Sequence, residues 1–309
     1  MAATVTSNYG GEFLEQIVML LTTGNPTVEN GHIRIHSGVN SKISIPRIKA
    51  TDIIQPYKPS PVPGDSGTLT FSENQIVTGG YMLYAEYDPE SFASHWRPFQ
   101  PSGAGFVFQE LPASVQLSIM QEFLRVHSEH LEKILFQGDT ALSSDPLEYF
   151  DGIFKVAANN ANVIDVATPV TLDQTNIVTE LGRVFDAAPD AAKMHPDWKI
   201  FVNLSDWYHY GTAQRLKSNK GTEDWQEPPR LFRGKEIVPS AGVPKDKMIA
   251  LVANAGMDSN LHFAIKFRED FNAVKTGKVA ANSEMEFMKM AFKAGVNFSW
   301  GEEVVAYNA

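Results

Sequence analysis

The stretch 113–138, ASVQLSIMQEFLRVHSEHLEKILFQG, is the longest uninterrupted helical pattern in the chain. Its apolar residues and one histidine recur at three- and four-residue spacing and share one face: Ile119, Met120, Phe123, Leu124, His127, Leu131, Ile134 and Leu135. Pro112 and Ser114 mark its start, and Gly138 marks its end. About 25 residues at 1.5 Å each give a rod of roughly 37 Å, which can span a whole layer of a domain.

Composition limits the class of protein around this helix. The 309 residues suffice for one large domain or two medium ones, and 43% hydrophobic with 20% charged residues indicates a folded globular chain. The absence of Cys excludes disulfides and thiolate chemistry and fits a reducing compartment. No apolar run is long enough to span a membrane, and no signal peptide is recognised. A net charge of −10 disfavours non-specific binding of DNA.

On the N-terminal side, Glu12–Leu21 is predicted as a short helix that either docks on its own core or reaches a neighbouring chain. Residues 50–68, with four prolines and two glycines, lie between two strand-like flanks. They predict a two-stranded arm with an irregular tip, and the alternative is a loose surface loop. Tyr81–Tyr87 alternates with period two and is interpreted as the strand that returns from this arm.

On the C-terminal side, a helix is predicted over Leu172–Ala188, capped by Asp173 or Thr175. A strand at Trp198–Asn203 and a helix at Leu204–Leu216 follow, the helix with Ser205 as its cap. The patterns next predict a long polar loop at 217–235 and short strands at 237–239 and 248–252.

The end of the chain has the cleanest period-two pattern. Leu261–Phe267 alternates, and Met288–Trp300 places Met, Met, Phe, Ala, Val, Phe and Trp on its even-numbered face. Gly295 is interpreted as a bend within this strand. The even face is expected to be buried against the long helix and the helices predicted at 172–188 and 204–216.

No catalytic constellation is visible. The sequence has no phosphate-binding glycine loop with strand–helix context and no GxSxG elbow. His127 and His130 lie three residues apart on the long helix, but a metal site would need further ligands that the sequence does not indicate. We therefore predict no catalytic, cofactor-binding or metal-binding residue, and a protein that is not an enzyme.

The order of these parts resembles the tailed-bacteriophage major capsid proteins of the Hong Kong 97 fold. The resemblance covers nearly the whole chain and includes LEKILFQGD and YFDGI after the long helix, IFVNLSDWY, LFRGKEIVPSAGVPKDKMIALV and KVAANSEMEFMKMAFKAGVNFSWGEEVVAYN. It implies an α+β capsid-protein fold with an N-terminal arm, a β-hairpin E-loop, a peripheral (P) domain with a long spine helix, and an axial (A) domain.

The resemblance also implies a division of the chain. It assigns the N-terminal arm to 1–38, the E-loop to 50–76, the P domain to 39–49, 77–152 and 261–293, and the A domain to 153–260 and 294–309. Contacts between subunits are expected at Tyr57, Lys58 and Asp65 in the arm tip and at Trp225 in the A-domain loop. Gly295 is expected to be a hinge between the two domains.

The function implied is a structural shell protein that assembles into hexamers and pentamers around double-stranded DNA, without sequence-specific binding. Portal, scaffold and decoration proteins are possible partners by this resemblance, and a fused scaffold is not recognised. The implied location is the virion capsid, assembled in the host bacterial cytoplasm. Two alternatives stay open: an encapsulin-type compartment shell, and an unrelated α+β enzyme.

Overall fold

The computed structural model describes residues 5–8, 25–54, 56–57, 59, 67–88, 113–143, 146–218, 228–267, 274–280 and 285–308. The helices of this part are α1 Pro26–Glu29, α2 Ala113–Gln137, α3 Ile153–Asn159, α4 Ile177–Ala187, α5 Asp190–Met194 and α6 Leu204–Ser218. The strands are β1 Val5–Asn8, β2 Arg34–Ser37, β3 Lys42–Thr51, β4 Thr68–Val77, β5 Gly79–Tyr87, β6 Ile164–Asp165, β7 Trp198–Asn203, β8 Leu231–Phe232, β9 Lys235–Ser240, β10 Lys247–Val252, β11 Leu261–Phe267, β12 Val274–Lys278, β13 Glu286–Phe298 and β14 Val305–Asn308.

Strand β13 is the centre of the first sheet. Its order is β1-β12-β13-β11-β2, and β5 pairs with β13 from the other side. Strands β12 and β11 pair antiparallel with successive halves of β13. All the even-numbered residues of β13 are buried, whereas Lys289, Ala291, Lys293 and Asn297 are half-buried. The predicted alternation is therefore confirmed, because β13 turns one face to the core.

The second sheet has the order β6-β14-β10-β7-β9-β8. Its two faces belong to two different cores. Phe201, Ile249 and Ala306 pack in the core that contains Phe136 of α2, while Ile200, Met248 and Tyr307 pack in the core that contains helices α4 and α6. Because helices cover both faces, strand β10 is apolar on both sides instead of alternating.

The predicted two-stranded arm is confirmed as the hairpin β3–β4, which forms a sheet of its own. Its pairing runs from Lys42 opposite Val77 to Thr51 opposite Thr68. The interpretation of Tyr81–Tyr87 as the returning strand is wrong, since that segment belongs to β5 and pairs with β13. The period-two pattern identified a strand correctly, but it carries no information about which strand is the partner.

The long helix is confirmed at Ala113–Gln137. Helix α4 begins at Ile177, five residues later than predicted, because the Asp173 Oδ1 atom accepts the backbone N–H groups of Thr175 and Asn176 in a preceding turn. Helix α6 begins at Leu204, so Ser205 lies inside it and is not its cap.

At the start of helix α6, the Asn203 Oδ1 atom accepts the N–H of Ser205 at 2.8 Å and takes the capping role.

The predicted helix Glu12–Leu21 lies outside the described residues. None of the helices in the described ranges combines the length and apolarity needed to cross a membrane.

A buried carboxylate ties three elements together. Glu132 of α2 accepts hydrogen bonds from Thr27 Oγ1 and Ser240 Oγ, each at 2.6 Å. Burial raises the pKa of Glu132, and the hydrogen bonds oppose that shift. The contact fixes the segment around α1 and the end of β9 to the long helix.

Candidate functional site

The base of the hairpin β3–β4 is held by polar contacts with the end of β13 and the residues that follow it. The guanidinium of Arg47 donates to the carbonyl oxygen of Ser299 at 2.8 Å and lies 5.0 Å from the ring centre of Trp300. Asn74 donates to the carbonyl oxygen of Phe298 at 2.8 Å. Both strands of the hairpin are therefore tied to one short backbone segment.

An apolar contact beneath these bonds completes the base. Ile45 and Ile76 are buried against Ala264 of β11. A Cβ atom added to Gly295 would lie 2.3 Å from the carbonyl oxygen of Val77. Glycine is thus required here by the close approach of β4, a reason independent of the predicted hinge, which stays a prediction.

The outer half of the hairpin exposes large apolar side chains on one face. Ile48 lies opposite Phe71, and Ala50 lies opposite Leu69. The exposed fractions of Ile48, Leu69 and Phe71 are 59%, 55% and 73%. A contiguous exposed apolar patch on a strand pair indicates a surface that binds a partner. We call Ile48, Ala50, Leu69 and Phe71 the outer hairpin patch.

The predicted site residues have different outcomes. Tyr57 is 90% exposed and follows Ile54, which is 99% exposed, so the described part of the tip is available for contacts. Lys58, Asp65 and Trp225 lie outside the described residues. Sequence reasoning missed the outer hairpin patch, although the spacing of Ile48 and Ala50 and of Leu69 and Phe71 was a usable period-two signal.

Two stacked histidines lie behind the hairpin base. His36 Nε2 is 3.0 Å from His262 Nδ1, and His262 Nε2 is 2.5 Å from Ser299 Oγ. Burial, followed by the charges of His36 and Arg34, lowers the pKa of His262 to about 4. The hydroxyl of Ser299 therefore pairs with an imidazole that stays neutral at neutral pH, while its carbonyl oxygen receives Arg47.

The two histidines of α2, His127 and His130, lie in different environments. His127 is buried, with Nε2 3.2 Å from the Tyr81 hydroxyl, and burial lowers its pKa to about 4. His130 is exposed. His127 therefore contributes to core packing, and the described residues bring no third ligand to the pair.

Another histidine, His195, lies among carboxylates near the start of β7. Ligand atoms of His195, Asp197 and Asp258 lie within 4.8 Å of one another. His195 Nδ1 accepts the N–H of Asp197 at 3.2 Å, which leaves the proton on Nε2, 3.0 Å from Asp258 Oδ2. A metal needs that nitrogen unprotonated, so this geometry fits a hydrogen-bonded cluster better than a metal centre.

No family model and no curated protein matches the chain. Solved structures do match it over nearly its full length. A chain of the satellite phage P4 procapsid, solved with its size determination protein, has a TM-score of 0.64 at 12% identity, covering 98% of this chain and 92% of that one. A chain of the empty GTA particle capsid has a TM-score of 0.54 at 9% identity, covering 99% and 98%.

The capsid structure of cyanophage P-SCSP1u gives a TM-score of 0.53 at 11% identity, covering 100% of this chain and 91% of its own. At such low identities the likeness defines the fold. The chain has an α+β fold shared with phage and GTA capsid chains, which confirms the predicted fold class at this level.

Proposed function

We propose that this protein is a structural, non-enzymatic major capsid protein that assembles with copies of itself into a closed icosahedral shell. The observation that carries the proposal is the outer hairpin patch, an apolar surface on an arm whose base is fixed and whose outer half is exposed. Such a patch gains stability only when another surface covers it. The shared fold with capsid chains supports a second copy as that surface.

The parts of the subunit follow from the same proposal. We infer that α2 is the spine helix, that 50–76 is the E-loop, that 39–49, 77–152 and 261–293 form the P domain, and that 153–260 and 294–309 form the A domain, with 1–38 as the N-terminal arm. Because residues 294–298 still pair with β11 in the first sheet, the strand pairing favours moving the last boundary to about 299.

The proposed assembly consists of hexamers and pentamers around double-stranded DNA. Its place is the virion capsid, formed in the host bacterial cytoplasm, with portal, scaffold or decoration proteins as further partners. The shell would enclose DNA without sequence-specific contacts, in keeping with the net charge of −10. An encapsulin-type shell shares the fold and differs in its contents.

Particle formation by the purified protein tests the proposal. We expect light scattering and electron microscopy to show large closed particles or capsomers for the wild type. Removing residues 54–68 should leave the subunit folded by circular dichroism, because the described residues of this segment are exposed except for the half-buried Gly67, but should prevent normal assembly. A stable monomer under all salt and concentration conditions would refute the proposal.

The outer hairpin patch can be tested with a matched control. Ile48→Asp combined with Phe71→Asp should abolish assembly, because two carboxylates would enter the contact. Thr51→Asp combined with Thr68→Asp adds the same charge on the opposite face of the hairpin and should assemble. Equal assembly of both variants would contradict the role of the patch. Nuclease-protected DNA in particles from cells would favour a virion over an encapsulin-type shell.

A further inference from the structure

Four lysines share the face of the first sheet that points away from the buried side of β13. Lys266 lies directly opposite Lys293, and Lys275 lies directly opposite Lys289. In each pair the side chains leave the same face, because directly opposed residues of antiparallel strands point the same way. We call Lys266, Lys275, Lys289 and Lys293 the lysine face.

This arrangement is unfavourable for an isolated subunit. Like charges directly opposite each other destabilise a sheet, and here two such pairs occur on neighbouring stretches of one strand. Within the described residues none of the four forms an ion pair with a carboxylate, and Lys293 Nζ donates to the carbonyl oxygen of Asn40 at 2.9 Å. The chain has 36 acidic and only 26 basic residues, yet four of its lysines lie together on this face.

Apolar side chains accompany the lysines. Three of them, Lys266, Lys289 and Lys293, line a concave depression of about 810 Å³ together with Met82 and Phe292. Met82 lies opposite Ala291, and Tyr84 lies opposite Lys289. Met82 and Tyr84 are 54% and 48% exposed. Mixed apolar and charged surface of this kind is typical of protein–protein contacts.

We propose that the lysine face docks a carboxylate-bearing surface of a second copy of this chain. The proposal rests on the self-assembly proposed above. Outside the four lysines the formal charge of each copy is −14, that is −10 minus 4, so a neighbouring copy supplies carboxylates. Such a contact neutralises the repulsion between the opposed lysines, and it steers acidic copies into one orientation.

Nucleic acid is the weaker occupant of this face. A phosphate backbone would attract the lysines, but the strongly acidic chain as a whole repels it. The exposed Met82 and Tyr84 also add apolar area, which a contact to phosphates does not use. Binding of nucleic acid is therefore an outcome that the experiment must be able to detect.

The first test measures stability and assembly in the same variant. Lys289→Gln combined with Lys293→Gln should leave the melting temperature of the isolated subunit unchanged or raise it, because one charge leaves each pair. The same variant should raise the protein concentration at half-assembly roughly fivefold or more, as two exposed ion pairs are lost. Lys133→Gln combined with Lys245→Gln removes the same charge elsewhere and should leave assembly unchanged.

The second test identifies the partner. Particles assembled from equal amounts of ¹⁴N- and ¹⁵N-labelled subunits are treated with a carbodiimide, which couples an amine directly to a touching carboxylate. We expect mixed-isotope cross-links from the lysine face to Asp or Glu peptides. Absence of such cross-links, together with normal assembly of the Lys289→Gln/Lys293→Gln variant, would overturn the proposal.

Loss of duplex DNA binding in a gel shift, with assembly unaffected, would also overturn it and assign the face to nucleic acid. Failure of the wild type to assemble would instead refute the proposed function. The two failures are therefore distinguishable.

Discussion

The two larger sheets of this protein differ in how completely they are covered. In the second sheet, neighbouring residues of β10 such as Met248 and Ile249 are both fully buried, one in each core. In the first sheet, Phe292 is buried while Lys293 is half-buried. Within the residues that the structure describes, helices cover the second sheet on both sides, whereas α2 and the core around it cover one side of the first.

The face of the first sheet that points away from this core has two parts. Near its C-terminal end, β13 is covered by the hairpin base, which approaches Gly295 closely. Towards its N-terminal end the same face carries the lysines. The second sheet thus stabilises the subunit alone, whereas the first combines a core face with the face and the arm that we propose to contact other copies. Four experiments test this difference.

The largest expected effect is at Phe292. Its ring packs against His127 with centroids 4.7 Å apart and against Tyr81 at 5.4 Å. Phe292→Ala should reduce the free energy of unfolding by about 3–5 kcal/mol through the cavity it leaves. Lys293→Ala, on the opposite face, should change it by less than about 0.5 kcal/mol. Urea unfolding measures both, and equal destabilisation would show that the two faces are assigned backwards.

In the second sheet, substitutions on the two faces of one strand should lower the free energy of unfolding by similar amounts. Met248→Ala and Ile249→Ala should each lower the free energy of unfolding by about 2–5 kcal/mol, because both side chains are fully buried. Denaturant unfolding of the two variants, side by side, is the measurement. A cost below 1 kcal/mol for either one would mean that one face of β10 is not covered as described.

Gly295 tests the junction between the hairpin and β13. Gly295→Val should cost about 1–3 kcal/mol, since its side chain must displace the backbone at Val77. Gly80→Ala is a matched control on β5, where an added Cβ has no neighbour nearer than 3.9 Å. The melting temperatures of the two variants are the measurement. If Gly295→Val melts like the wild type but forms misshapen particles, the predicted hinge explains this glycine better than packing does.

The smallest expected effect concerns pH. His262 has a folded pKa of about 4 against about 6.5 unfolded, so the unfolded state binds more protons between these values. The contribution of neutral His262 to the free energy of unfolding is fully present above pH 6.5 and is lost as the pH falls towards 4. The wild type should lose about 1–2 kcal/mol more than His262→Gln between pH 7 and pH 5.

Other groups titrate in the same range, and the comparison with His262→Gln removes the contribution of those that do not contact His262. His127 has a pKa lowered to about 4 by burial, and burial raises the pKa of Asp206 to about 6. Both remain in the variant. Parallel stability curves for the wild type and the variant would show that His262 is not held neutral by its burial.

Much of this architecture follows from local pattern. The spacing of apolar residues in 113–138 determines a long helix, and the alternation in Met288–Trp300 determines a strand with one buried face, since both depend on side-chain periods of 3.6 and 2. The prolines and glycines of 50–68 predict that neither helix nor sheet continues through the arm tip. The order of these parts already indicated the capsid-protein fold.

Which strands pair and which sheet faces are buried depended on tertiary structure. Only the fold pairs Tyr81–Tyr87 with β13, covers both faces of β10, and brings Val77 against Gly295, because these contacts join residues far apart in the chain. Only the register of three strands brings Lys266, Lys275, Lys289 and Lys293 onto one face. A sequence period fixes which residues share a side of one strand, but long-range pairing decides which strands meet and what is left uncovered.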